Sequence, residues 1–489
     1  MRGRSTEPPR HSDRGNTSLR RSQGLSPASS LAGKSRTVCA IWQRPFSFSA
    51  WTMFPSVVGN QRHICLILLV FLVSVTITNS QDNAFDPDVK PIQVGEAQAP
   101  RYLLYDVNPG EGFNLRRDVY MRIANLVRNL NEDAPWILVL PPWGRLYHWK
   151  SQHLHQIGIP WSTFFDLASL RKFVPVIEFE ELLQLLPTPV IDELYYLQSY
   201  QNWKEWEEKM EIQDCLQNPY RRNEETGRWK GWFFGFGETV SAEKFACMSV
   251  MGHASSLKPF LLKNTTGSTV MIDRGEVVLH DRFGDTSYWE CRRSMRFSKP
   301  LRQLGDAFRE TFLDSTDEAD NTVLDEDWTK MKRKHGEAKG GPYLAAHLRR
   351  ADFAHVREKD VPSLKYTAKQ LKSKLEEWKL TKLFIATDAS SKEFEKLKGY
   401  LDGYEVFRYE PPSEEVHETY KDGGLAIIDQ WICAHARYFI GTRESTFSFR
   451  IQDEREILGF DPDTTFNCLC GDKKKDKECE QPSRWKIVY

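Results

Sequence analysis

The 489-residue chain carries no net charge, because 67 Lys and Arg balance 67 Asp and Glu. A nucleic-acid groove, which needs a basic excess, is therefore excluded as the main partner surface. No G-x-x-x-x-G-K-[ST] loop, H-E-x-x-H pair or G-x-S-x-G elbow occurs, which speaks against a P-loop kinase, a zincin and an α/β-hydrolase. No C-x-x-C pair or Cys/His group has zinc spacing along the chain. The apolar run Ile64 to Val75 is about a dozen residues, where a membrane-spanning helix needs roughly 20.

That run has the flanks of a secretory signal. Met53 precedes it, Arg62 and His63 charge its start, and Thr78-Asn79-Ser80 supplies small residues for cleavage. The expectation is a disordered extension over 1–52, rich in Arg and Ser, a signal peptide over 53–80 and a linker over 81–100. Cleavage is expected, with a signal-anchor as the alternative; either way the remainder would enter an oxidising lumen, and with cleavage it would touch the membrane only through the signal. Cys39 and Cys65 would leave with the amino-terminal segment. Of the remaining cysteines, Cys470 with Cys479 closes a short charged loop, and Cys215 with Cys247 spans a Trp-rich region; these are the expected bridges. The pairing of Cys291, Cys433 and Cys468 stays open. Asn264-Thr265-Thr266 is an N-glycosylation sequon in the luminal part, whereas Asn16 precedes the signal.

What is present is α/β grammar. The length suits two domains, taken as 101–308 and 309–489. Strand Tyr102–Val107, helix Leu115–Leu130, strand Trp136–Leu140, a short helix Asp166–Leu170 and strand Val174–Phe179 predict βαβ units. Residues 200–300 show no clean period and are assigned loosely as helices. The acidic run Asp314–Asp320 reads as a solvated inter-domain or surface loop. Then follow strand Tyr343–Leu348, helix Leu364–Trp378, strand Lys382–Thr387, helix Lys392–Leu401, strand Val406–Tyr409, helix Gly424–Ala436, strand Tyr438–Gly441 and an amphipathic helix from Ser445. The implied fold is two Rossmann-like domains with ligand between them.

Four stretches carry candidate chemistry. In Asn108-Pro109-Gly110-Glu111-Gly112, a strand feeds a glycine loop with one carboxylate. An ordinary βα turn with a solvated Glu111 and a ligand loop both satisfy that pattern. After strand Tyr343–Leu348, Arg349, Arg350 and Asp352 place two guanidiniums and a carboxylate at a strand end. One arginine suits a pyrophosphate, and an Arg350–Asp352 ion pair is the structural alternative. Ser445 or Thr446 can cap a helix whose first amides face outward, a phosphate site or simply a capped helix. Asp388 and Asp429 can accept from a base or a ribose, or serve as a cap and a surface charge. Asp325-Glu326-Asp327 spells D-x-D, but no apolar strand leads into it, so it reads as solvated loop rather than a metal site.

Four motifs together resemble the protein O-fucosyltransferases: N-P-G-E-G-F-N-L-R-R-D at Asn108–Asp118, L-P-P-W-G-R-L-Y-H-W at Leu140–Trp149, H-L-R-R-A-D-F at His347–Phe353 and S-T-F-S-F-R at Ser445–Arg450. The resemblance covers about Tyr102 to Tyr489, and its nearest branch modifies thrombospondin type 1 repeats. It implies a GT-B fold and inverting transfer of L-fucose from GDP-β-L-fucose to a Ser or Thr hydroxyl of a folded repeat, without a metal. It carries the catalytic base onto Glu111 and the phosphate-contacting arginine onto Arg349. Donor contacts fall on Gly110, Glu111, Gly112, Phe113, Asn114, His347, Leu348, Arg349, Asp429, Thr446 and Phe447. It further implies a monomer resident in the endoplasmic reticulum, although Lys486-Ile487-Val488-Tyr489 is not a K-D-E-L-type tail. Cys291 and Cys468 look additional to the family's usual disulfides. A non-enzymatic glycoprotein-binding protein on this fold would have lost Glu111 or Arg349, and neither is lost. A transferase using another sugar nucleotide would share nearly every phosphate contact. Pro142 and Trp143 are either an acceptor groove or buried core.

Overall fold

The computed structural model describes residues 99–489 apart from 145, 202–203, 232, 234, 358–359, 473–478 and 482–483. The expected extension, the signal peptide, all but the last two residues of the linker, and Arg145 lie outside the described residues. Among the described residues no helix is long and apolar enough to cross a membrane.

The first sheet holds β1 (Arg101–Tyr105), β2 (Trp136–Leu140), β3 (Val176–Glu178), β4 (Val190–Ser199), β5 (Lys209–Ile212), β6 (Tyr220–Arg222), β7 (Trp229–Gly231), β8 (Ser241–Met251) and β9 (Thr269–Asp273). Its order is β3-β2-β1-β9-β4-β8-β7-β6, with β5 also on β8. Strands β5 to β7 pair antiparallel and the others parallel. The second sheet is fully parallel, in the order β12-β11-β10-β13-β14. Its strands are β10 (Gly341–Leu348), β11 (Lys382–Thr387), β12 (Glu405–Phe407), β13 (Ala436–Ile440) and β14 (Thr465–Phe466). The apolar runs Trp136-Ile-Leu-Val-Leu140 and Tyr343-Leu-Ala-Ala346 make parallel strands because helices cover both faces. The two-sheet α/β architecture read from the sequence is present.

The helices in chain order are α1 (Phe113–Leu130), α2 (Leu167–Arg171), α3 (Phe179–Leu185), α4 (Lys258–Lys263), α5 (Thr286–Ser294), α6 (Lys299–Leu313) and α7 (Asp317–Asp320), then α8 (Phe353–Val356), α9 (Leu364–Glu377), α10 (Ser391–Tyr400), α11 (Glu414–Ala434) and α12 (Thr446–Leu458). One apolar cluster runs from Leu103 on β1 through Phe113 on α1 and Leu301 on α6 to Ile427 on α11 and Phe384 on β11. The expected division at 308/309 falls inside α6, where a side chain at Gly305 would meet the Trp431 ring at 2.6 Å. Close helix approach therefore depends on that glycine.

Three expectations are corrected and one alternative is decided. Residues 200–300 are not a run of helices: strands β5 to β9 alternate there with α4 and α5, and β8 pairs along the length of β4, whose polar residues are individually bonded; Glu193 accepts from the Gly267 amide at 2.7 Å. The acidic run Asp314–Asp320 is solvated only in part: Asp314 and Glu318 are exposed, while Asp317 and Asp320 turn inward. It wraps the buried Arg309 guanidinium, which meets Asp306 and Asp317 at 2.9 Å each and Asp320 at 3.2 Å. Helix α12 is not amphipathic. It is buried on every face from Arg450 onward because its charged residues find partners inside, Asp453 and Glu454 bonding Arg292 of α5 at 3.2 and 2.7 Å. For Trp143 the buried-core alternative holds: its ring centre is 4.8 Å from that of Phe113 and 4.7 Å from that of Trp161.

Candidate functional site

Strand β1 lies between β2 and β9, and β10 lies between β11 and β13. Successive connections leave in opposite directions from each, which makes both strand ends topological switch points, where open α/β sheets bind ligands. Glu111 lies in the loop after β1, and Arg349 directly follows β10.

The β1 loop is held by its backbone. The Glu111 amide donates to the Asn108 carbonyl at 2.9 Å. Arg116, one turn into α1, donates to the Glu111 carbonyl at 3.2 Å, the Asn108 carbonyl at 3.4 Å and the Asp106 carboxylate at 3.4 Å. Glu276 accepts from the Asn108 amide at 3.1 Å. Gly112 is the α1 N-cap, and a side chain there would meet His148 at 3.1 Å. The Glu111 carboxyl is pushed up by burial and then by Glu276, against the pull of Asn108, Arg116 and Arg274. Asp106 and Asp273, at the ends of β1 and β9, are buried, and desolvation raises both carboxyls; the Asp106 charge adds to the rise at Asp273, and Glu276 adds to both.

The β10 loop is held by side chains. Arg349 donates to Asp352 at 2.5 Å, pairs with Asp388 at 2.8 Å and lies over the Phe353 ring at 5.4 Å. Its amide donates to Thr442 Oγ1 at 3.0 Å. The expected Arg350–Asp352 alternative is corrected: Asp352 takes Arg349, while Arg350 pairs with Glu393 at 3.0 Å and donates to the Pro362 carbonyl. Asp388 also accepts from the Arg350 amide at 2.6 Å, so this carboxylate orients both residues. His347 is buried, bonded through Nδ1 to Ser448 Oγ at 2.8 Å and stacked on Phe447 with ring centres 4.3 Å apart. Burial, then Arg349, pushes its imidazole down to about 3, so it is neutral. Leu348 is buried. Ser445 sits at the α12 N-cap, yet no side chain caps that helix, contrary to the capping expectation. Ser448 instead serves His347 and the Thr442 amide, and Thr446 stays exposed.

The two loops meet at His148. Arg349 Nη2 donates to His148 Nδ1 at 3.1 Å, while the other edge of the imidazole covers Gly112. Burial, then Arg349, lowers the His148 imidazole, which leaves it neutral and able to accept from a guanidinium. Behind this junction Asn114 accepts from Gln430 of α11 at 2.8 Å, and Arg117 donates to Gln430 at 2.7 Å. Phe113 packs on Trp143, Trp149 and Phe164. Gly110 is exposed at the loop tip with its Cβ direction nearly open.

Asp429, half-buried on α11, is raised by burial to about 8, with Arg408 opposing. The D-x-D carboxylates serve structure: Glu326 pairs with Arg302 and Arg296, and Asp327 pairs with Lys172 at 2.9 Å. Cys215 is bonded to Cys247 and Cys470 to Cys479, while Cys291 and Cys433 are buried thiols. Asn264 is exposed at the end of α4. Sequence reasoning missed His148, Asp273 and Glu276. The Tyr-His-Trp end of the Leu140–Trp149 motif was the one signal for the first.

The family model described as GDP-fucose protein O-fucosyltransferase matches residues 102–458. GDP-fucose protein O-fucosyltransferase 2 of Homo sapiens is 52% identical over 429 residues, covering 87% of this chain and 99% of that protein. The Caenorhabditis elegans protein of the same name is 45% identical over 436 residues, covering 87% and 99%. Among solved structures, POFUT1 in complex with GDP-fucose is similar over 75% of this chain and 98% of that one, at 17% identity and a TM-score of 0.48. With the identity to full-length relatives and the matched family model taken together, this chain belongs to the GDP-fucose protein O-fucosyltransferase family.

Proposed function

We propose that this chain transfers L-fucose from GDP-β-L-fucose to a Ser or Thr hydroxyl of folded thrombospondin type 1 repeats, inverting the anomeric carbon. The carrying observation is the junction at His148, which brings the carboxylate loop of one sheet against the cation loop of the other. Glu111 takes the acceptor's proton as its oxygen bonds the sugar carbon, and the bond to the β-phosphate breaks on the opposite side. Its raised carboxyl is a stronger base than a solvated one. Arg349 faces the leaving diphosphate, whose oxygens displace Asp352 and Asp388 from the guanidinium fork. The uncapped amides at Thr446 and Phe447 add neutral donors. Gly110, Gly112, Phe113, Asn114, His347, Leu348 and Asp429 complete the donor contacts in this reading. The charge is carried by Arg349 and amides, without a metal in the reaction centre.

The same reading puts the chain in the endoplasmic reticulum lumen as a monomer, with Asn264 glycosylated and with donor binding assigned mainly to 309–489. Incubating the secreted protein with a folded repeat and a panel of sugar nucleotides, read by intact mass, tests it. One added deoxyhexose from GDP-fucose alone is expected. Binding of the repeat without any transfer would favour a glycoprotein-binding role, and transfer from another nucleotide would replace the donor.

A further inference from the structure

Away from the proposed reaction centre, His153, Glu414 and His417 bring one ligating atom each within 4.8 Å of the others. His153 Nε2 is 3.0 Å from Glu414 Oε1. Two ligands on a tetrahedral zinc ion at about 2.0–2.1 Å stand roughly 3.3 Å apart, so this spacing needs little adjustment. His153 comes from the segment leading away from His148, and the other two residues lie in the first turns of α11. His153 and Glu414 are 58% and 65% exposed and His417 only 15%, so the group opens to solvent on one side.

What separates it from a surface His–Glu pair is the layer behind it. Asp422 Oδ1 lies 3.0 Å from His417 Nε2, which fixes the proton on that nitrogen and leaves the Nδ1 lone pair for a ligand role. Asp422 is itself held by Ser151 Oγ at 2.6 Å, the Ser151 amide at 3.0 Å and Gln156 Nε2 at 3.1 Å. The Asp422 amide returns a bond to Gln156 Oε1 at 3.1 Å. A carboxylate behind an imidazole, itself anchored by further donors, is the outer-shell pattern of metal-bound histidine. The anchoring is possible because α11 breaks at Lys421, whose φ of 57° turns Asp422 back toward His417.

We propose that His153, Glu414 and His417 bind a zinc-class divalent ion, with Asp422 orienting His417, and that the ion fastens the 148–156 segment to α11. Two imidazoles and one carboxylate select a borderline cation over Mg²⁺ or Ca²⁺, and water fills the fourth position. The site touches no group assigned to transfer. Its reach is mechanical: the fastened segment begins at His148, which contacts Arg349.

Zinc chloride titrated calorimetrically into untagged, chelator-treated protein tests this. One equivalent is expected to bind, weakened at least tenfold by His153→Ala and by Glu414→Ala, both exposed positions that leave the fold intact. X-ray absorption of the zinc-loaded protein should show nitrogen and oxygen neighbours with imidazole scattering. Amide exchange over 151–156 should slow on zinc addition. Binding that survives both substitutions, or sulfur in the first shell, overturns the site. Unchanged exchange over 151–156 overturns the fastening.

Discussion

The loop after β1 and the loop after β10 occupy equivalent positions in their sheets, yet they are built on opposite electrostatic plans. At Glu111, burial and the like charge of Glu276 raise the carboxyl against the pull of Asn108, Arg116 and Arg274. Arg349 is surrounded by opposite charge, with Asp352 and Asp388 on its two terminal nitrogens. The first environment makes a proton acceptor more basic. The second keeps a cation oriented and compensated until stronger acceptors arrive. The roles proposed for Glu111 and Arg349, a base and a clamp, therefore call for different failures when removed.

The largest separation is expected from Glu111→Gln. Loss of general-base action should lower kcat by about 10² to 10⁴ while leaving GDP-fucose affinity within about threefold. Single-turnover transfer and donor calorimetry on the same preparation check this, and equal loss in both would erase the difference between the loops. Arg349→Lys comes next. It keeps the charge but loses the planar fork, so donor affinity should fall about tenfold together with kcat. A lysine variant with unchanged donor KM and kcat would reduce the clamp to a point charge.

Asp273→Asn probes the buried carboxyl at the end of β9 and should act on stability. The Asp273 carboxyl is raised in the fold by burial and Asp106, so protonation is favoured in the native state. Its favourable contribution is complete below the unfolded carboxylate value and is lost as pH rises through the higher folded value. Asparagine cannot ionise, so the variant should gain thermal stability over the parent, with the gain growing from pH 5 to pH 8 and reaching about 2–4 °C. A gain that shrank toward pH 8 in melting curves would mean that the carboxylate is stabilised and not strained.

How far the sequence reveals these plans depends on the range of the interaction. Glu111 between two glycines is legible because its constraint is local backbone. Strands β2 and β11 were placed to the residue because a strand buried on both faces writes one continuous apolar run. His148 was not legible: its partner Arg349 is 201 residues away, and a histidine in an aromatic stretch looks like core. The acidic run was misread for a different reason. A charged stretch reads as solvated unless its counter-ion is known to be buried, and Arg309 looks like any helix-surface arginine until Gly305 brings α6 against α11. The same limit hid α12, whose buried charges cancel in pairs and erase its period.

The smallest expected effect sharpens the comparison most. Glu276 touches no part of the proposed donor, but it caps the Asn108 amide and bonds Arg274 Nε at 2.6 Å, and its charge raises the Glu111 carboxyl. Replacing it with glutamine keeps an acceptor for the amide and removes the charge. The acid limb of the kcat/KM profile reports the base in the free enzyme. With Glu276 present, that limb should lie above the ordinary carboxylate range; in Glu276→Gln it should move to lower pH by about half a unit, while kcat on the plateau falls slightly because the base is weaker. The two changes must appear together. A lower plateau with an unmoved limb would mean that Glu276 only positions the loop, and the electrostatic contrast between the β1 and β10 loops would then rest on burial alone.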